Sequence, residues 1–141
     1  MTVHLLKLCV GIDRVEDLAA SVARRKAAGT AIVHHTRFRP KRAEEVLDGG
    51  SLYWVIGGFV RARQRILGLD MVTLESRGRC CAIHMEGELV QTVPQPRRPH
   101  QGWRYLEVPD APRDLAGANL AQGVDKMPDA LVQELRELGL L

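Results

Sequence analysis

Aromatic side chains are scarce in this chain: two each of Phe, Tyr and Trp among 141 residues. Cysteine is also rare, at three residues. The count is odd, and Cys80 and Cys81 are adjacent, so an extended strand would send them to opposite faces. A disulfide framework is excluded, and reduced thiols packed as small apolar groups are expected. No long apolar run occurs. The longest, from Leu52 through Val60, is stopped by Arg61 far short of a bilayer-spanning length, so no membrane span is expected. The first ten residues show no basic leader, long apolar stretch or small-residue cleavage site, which makes a cytoplasmic location the expectation. Also missing are a nucleophile elbow, a Walker loop, a dinucleotide glycine pattern and a metalloprotease helix.

What is present is an ordinary globular composition, 45% hydrophobic and 26% charged, at a length that suits one domain. The charge is unevenly spread. Residues 37–104 hold twelve basic and seven acidic side chains, a net +5, whereas residues 105–141 hold three and seven, a net −4. This asymmetry points to an anionic partner for the middle of the chain and a solvating or partner-binding tail. We expect a core domain over residues 1–114 and an acidic extension over residues 115–141 that ends in a helix packed on the core.

Periodicity supplies the elements. Residues 3–10 suit a first strand. Asp13 and Glu16 have capping-box spacing ahead of Val15, Leu18, Ala19 and Val22, so a helix is expected over 14–28, ended by Gly29. A strand over 31–35, a short helix opened by Pro40 and ended by Gly49 and Gly50, and a strand over 51–56 follow. Strict alternation from Phe59 onward places Arg61, Arg63 and Arg65 on one strand face and Val60, Ala62, Gln64 and Ile66 on the other. Strands over 71–74 and 80–85 form a hairpin around Ser76, Arg77 and Gly78. Pro94, Pro96 and Pro99 predict a loop or edge over 94–101, with a short strand at Trp103 and a final helix over 129–138. The expected fold class is α+β: a small mixed or antiparallel curved sheet or partial β-barrel flanked by a few helices.

The stretches LLKLCVGI, PKRAEEVLDGGSLYWVI, RARQRILGLD and PQPRRPHQGWRYL resemble domain of unknown function 1489, a family of small, mainly alphaproteobacterial proteins, over most of residues 4–114. That resemblance implies a lysine at position 57 in many members, where this chain has Gly57, and it brings no activity, catalytic residue or cofactor. The order of helix, Gly-Gly turn, aromatic strand and basic strand is also similar in layout to the PUA-like superfold, whose curved barrels often bind RNA or modified bases. A shared layout does not fix function.

Three arginines along a strand, spaced over about 13 Å, suit a phosphate backbone. Arg97, Arg98 and Arg104 extend the basic set, as do Lys41 and Arg42, and Trp103 offers a ring for base stacking. The competing reading is a solvated face whose arginines pair with Glu44, Glu45 or Glu75, with the tryptophans serving the core. Gly49, Gly50, Ser51 and Tyr53 are the candidate pocket for an anionic small molecule, although the glycine pair equally serves as a helix terminator. No metal site is expected, because His34 and His35 are neighbours with no ligand partner at motif spacing. Cys80 and His84 share a strand face but stand some 13 Å apart, too far for a direct dyad. No cofactor is expected. The leading expectation is a noncatalytic module binding RNA, or else DNA; the alternative is a small enzyme or binding protein for a nucleotide or other anion.

Overall fold

The computed structural model describes residues 1–116 and 129–137; the rest of the expected 115–141 extension lies outside the described residues. In chain order the elements are β1 (Val3–Leu8), α1 (Val15–Ala27), β2 (Val33–Thr36), α2 (Ala43–Leu47), β3 (Ser51–Ile56), β4 (Phe59–Leu74), β5 (Gly78–Met85), β6 (Val90–Pro96), β7 (Trp103–Glu107) and α3 (Asp129–Glu137). The strands form one mixed sheet in the order β2-β5-β4-β3-β1-β7, with β6 also paired to β4. Among the described strands only β1 and β3 run parallel, joined by the crossover that carries α1, β2 and α2. The sheet is curved and does not close into a barrel, so the fold is α+β as the sequence predicts.

α1 lies where its apolar spacing predicts. Val15, Leu18 and Val22 are buried against Leu5, Leu52, Trp54, Ile56 and Ile83 on the inner face of the sheet. Each fully buried aliphatic side chain there contributes roughly 1.5–3 kcal/mol. The Asp13 capping box does not form: Arg14 occupies the N-cap in extended conformation with no side-chain cap bond. The helix leans instead on Glu16 and Asp17 in its first turn and Arg24, Arg25 and Lys26 in its last, signs that suit its dipole. Gly29 ends it at φ +69°, a left-handed conformation that costs glycine little.

β4 departs most from the sequence reading. It is one strand of 16 residues, where two were predicted. It shifts register between Ile66 and Gly68 and passes from the neighbourhood of β3 to that of β5. Glu86 N–H bonds Arg65 O, so β5 and β6 follow one another along the same edge of β4. β6 is an edge strand that contains Pro94 and Pro96. Its register on β4 jumps between Val60 and Ala62, leaving Thr92, Val93 and Pro94 opposite Arg61 alone, and a bulge of this kind is where a strand tolerates proline.

The predicted alternation breaks at the same point. β3 also shifts register there, with Val55 opposite Val60 but Trp54 opposite Ala62. Val60 therefore joins Leu6, Tyr53, Val55 and Leu106 on the outer face, while Ala62 joins the inner core. Arg61 is the inserted residue, and it is buried at 5% exposure. A strap, residues 108–114, leaves β7 and crosses the outer face, packing Ala111 on that cluster. It ends against the free edge of β6 through Val93 N–H to Arg113 O and Leu115 N–H to Gln91 O. Leu131 of α3 packs with Leu115, Phe59 and Val93.

Candidate nucleic-acid interface

β2 and β7 are the two ends of the strand order. Curvature brings them close enough for the chain after β2 to bridge them. Trp103 Nε1–H donates to Phe38 O at 2.9 Å, and Arg42 N–H donates to Tyr105 Oη at 3.1 Å. Arg42 also pairs with Glu45 at 2.6 Å and Glu107 at 2.7 Å. These bonds leave a groove of ≈ 590 Å³ between the two edges. Its cations are Lys7, Arg37, Arg77 and Arg104; His34, His35, Phe38, Trp103 and Val10 complete most of the wall, and among the described residues no carboxylate lines it.

The electrostatics of the groove are one-sided. Burial, followed by Arg77, pulls the Lys7 ammonium below its ordinary range. His34 is lowered to about 4, first by burial and then by Lys7, His35, Arg77 and Arg25. Every charged group that acts on that ring among the described residues is basic, an arrangement suited to an anion. The apolar part is equally unusual. Phe38 is 64% exposed and Val10 79% exposed, with the Arg37 guanidinium 5.2 Å above the Phe38 ring.

Because His34 is neutral when folded, pH affects stability. The unfolded ring protonates near the ordinary histidine value of 6.5, so its contribution is complete above that pH. It is lost progressively as pH falls toward about 4, by on the order of 1–3 kcal/mol in total. Urea midpoints measured from pH 7 to pH 4.5 should fall in the natural protein and fall less in His34→Gln; parallel curves would contradict this assignment.

The predicted residues separate into three places. Arg61 is buried in the bulge. Arg63 is on the outer face, where its guanidinium bonds both Asp114 oxygens at 2.8 Å and Ser51 Oγ at 3.2 Å. This contact holds Asp114 below the usual carboxylate range and anchors the strap. Arg65 is exposed beside it, in a shallow depression of ≈ 490 Å³ that also includes Gly49, Ser51, Tyr53 and Arg113. The three arginines thus do not form one ladder. The Gly50 and Ser51 amides do not converge on an anion either. Gly50 N–H bonds Val46 O at 2.8 Å and Ser51 N–H bonds His4 Nδ1 at 3.0 Å.

Arg97, Arg98 and Arg104 line a second outer depression of ≈ 520 Å³, beyond the strap. Arg97 bonds Gln95 Oε1 and Asp110 O there. Glu107 and Asp110 line this depression as well; Arg104 lines both it and the groove, so a track of arginines runs around the β7 edge, with Trp103 on the groove side. Sequence reasoning missed Lys7, Arg37, Phe38 and Arg77. The run Arg37-Phe38-Arg39-Pro40-Lys41-Arg42, basic with an interleaved aromatic, was the available signal for two of them.

Cys9 is raised to about 11 by burial and is no nucleophile at neutral pH. Among the described residues no group of three or more His, Cys, Asp or Glu is placed to hold a metal ion, and no helix is long and apolar enough to cross a membrane. No curated protein and no solved structure matches the chain. One family, described as protein of unknown function (DUF1489), matches residues 5–141.

Proposed function

The chain belongs to that family, and since the description names no activity, we propose from its own residues that it is a noncatalytic module binding single-stranded nucleic acid, RNA foremost, in the groove between β2 and β7. The observation that carries this reading is the composition of the groove: four cationic side chains, exposed Phe38 and Val10, Trp103, and, among the described residues, no carboxylate. Cations attract the phosphates and displace their counterions. Rings with accessible faces stack on bases, which only unpaired strands present freely. Arg104 lets the strand continue around the β7 edge toward Arg98. The outer-face arginines contribute less, because Arg63 is already neutralised by Asp114.

A salt series tests the proposal. Anisotropy of a labelled single-stranded oligoribonucleotide should give a log K that falls with log salt at a slope of about −3, the value for four phosphates at about 0.7 each. Binding indifferent to salt, or no binding, would contradict it.

A further inference from the structure

Beside the groove, between α1 and the inner face of the sheet, lies a second cavity of ≈ 260 Å³. Val10 and His34 line both, so the two spaces share a wall. Most of the smaller cavity is apolar, with Leu18, Ile32 and Met85 among its walls. Two features set it apart from a packing void. Trp54 forms one wall, with the His34 ring edge-on to it at 5.2 Å. Gln64 forms another, 1% exposed, its carboxamide held by Trp54 Nε1–H at 2.9 Å and by its own Nε2–H to Glu86 O at 3.3 Å.

A primary carboxamide has two acceptor positions on oxygen and two donor hydrogens on nitrogen. These bonds use one of each and fix the plane of the side chain; among the described residues one acceptor and one donor position of Gln64 stay open. A paired donor and acceptor of this kind matches a base edge, as Gln and Asn do with adenine. The volume lies below the roughly 300–1,000 Å³ of pockets for drug-sized ligands, which suits one planar ring and not a whole nucleotide.

We propose that this cavity is a base-binding site, taking one nucleobase turned out of the strand that lies in the groove and reading its edge with Gln64. The proposal rests on the groove reading. It adds sequence preference to contacts that are otherwise indifferent to sequence. Unpaired strands suit it because an already unstacked base costs least to turn out.

The chain has two tryptophans, Trp54 in the cavity and Trp103 in the groove, and their indole N–H signals are told apart in the 15N-labelled natural protein by the one that is missing from the spectrum of Trp103→Phe. Oligoribonucleotides of each base are titrated into the natural protein while anisotropy reports total binding. The expected result is a saturable shift of the Trp54 indole signal that follows the anisotropy and is larger for one base than for the others. Ser21→Phe, on the α1 wall of the cavity, should remove that shift and lower affinity about tenfold, with salt dependence retained. Circular dichroism verifies its fold, and the titration of the natural protein stands without it. RNA bound by anisotropy with the Trp54 signal unchanged would overturn the base site and leave the groove reading intact. Absence of binding in the natural protein would overturn both.

Discussion

Replacing Arg37 and Arg77 together by alanine is expected to weaken single-stranded RNA binding on the order of 100-fold at moderate salt. Each guanidinium that bonds a phosphate is a charge-assisted contact of roughly 1.5–3 kcal/mol. The slope of log K against log salt should also flatten by about 1.4, two phosphates' worth. Arg77 Nη1 bonds His35 O at 3.1 Å, so the pair of lysine substitutions is the control: it keeps the charge and should keep most of the slope. Alanine variants that bind as tightly as the natural protein would move the interface away from the groove. Arg65→Ala on the outer face should change affinity by less than about threefold, because an exposed charge outside the track gives only weak, screened attraction.

Gly50→Ala should be the most damaging substitution for the fold. A Cβ at this position would overlap the carbonyl oxygens of Val46 and Val3, both backbone atoms at the point where α2 meets β1. Gly50 is held in place from both sides, its N–H donating to Val46 O at 2.8 Å and its carbonyl accepting from Ile66 N–H at 3.0 Å, so it cannot withdraw from the two carbonyls without loss of one of these bonds. The expected cost is about 3 kcal/mol or more, a fall of roughly 10 °C in Tm. Gly49→Ala provides the contrast. Its surroundings are open, with the nearest atom Thr2 Oγ1 at 3.8 Å, and its cost arises from φ +87°; about 1 kcal/mol is expected. Equal melting of the two variants would show that the close approach at Gly50 is not limiting.

The contrast between local and distant information explains what the sequence disclosed. α1, β3 and the β4–β5 hairpin were legible because their signals lie within a few residues: the spacing of Val15, Leu18 and Val22, the aromatic and β-branched run at 51–56, and the polar turn near Gly78. The face of β4 was not legible at Arg61. Alternation assumes an unbroken ladder, and the bulge depends on Thr92, Val93 and Pro94 of a strand some thirty residues later. Arg63 drew attention as a phosphate ligand because its partner, Asp114, is 51 residues away. The groove was hidden for a similar reason. Lys7, Arg37, Arg77 and Arg104 come from four separate parts of the chain, and only the sheet's curvature brings its first and last strands together. Trp103 and Arg104 were chosen for local composition, and the structure places both at that junction.

The central claim is that one particular surface receives an unpaired strand, and amide chemical-shift mapping of the 15N-labelled protein titrated with a single-stranded oligoribonucleotide tests it most directly. The largest perturbations are expected over residues 34–38, at Arg77 and over residues 101–104, fading with added salt, while residues 63–65 and 111–114 stay near their starting positions. Perturbations centred on residues 63–65 and 111–114, or none at ligand concentrations well above the protein's, would contradict it.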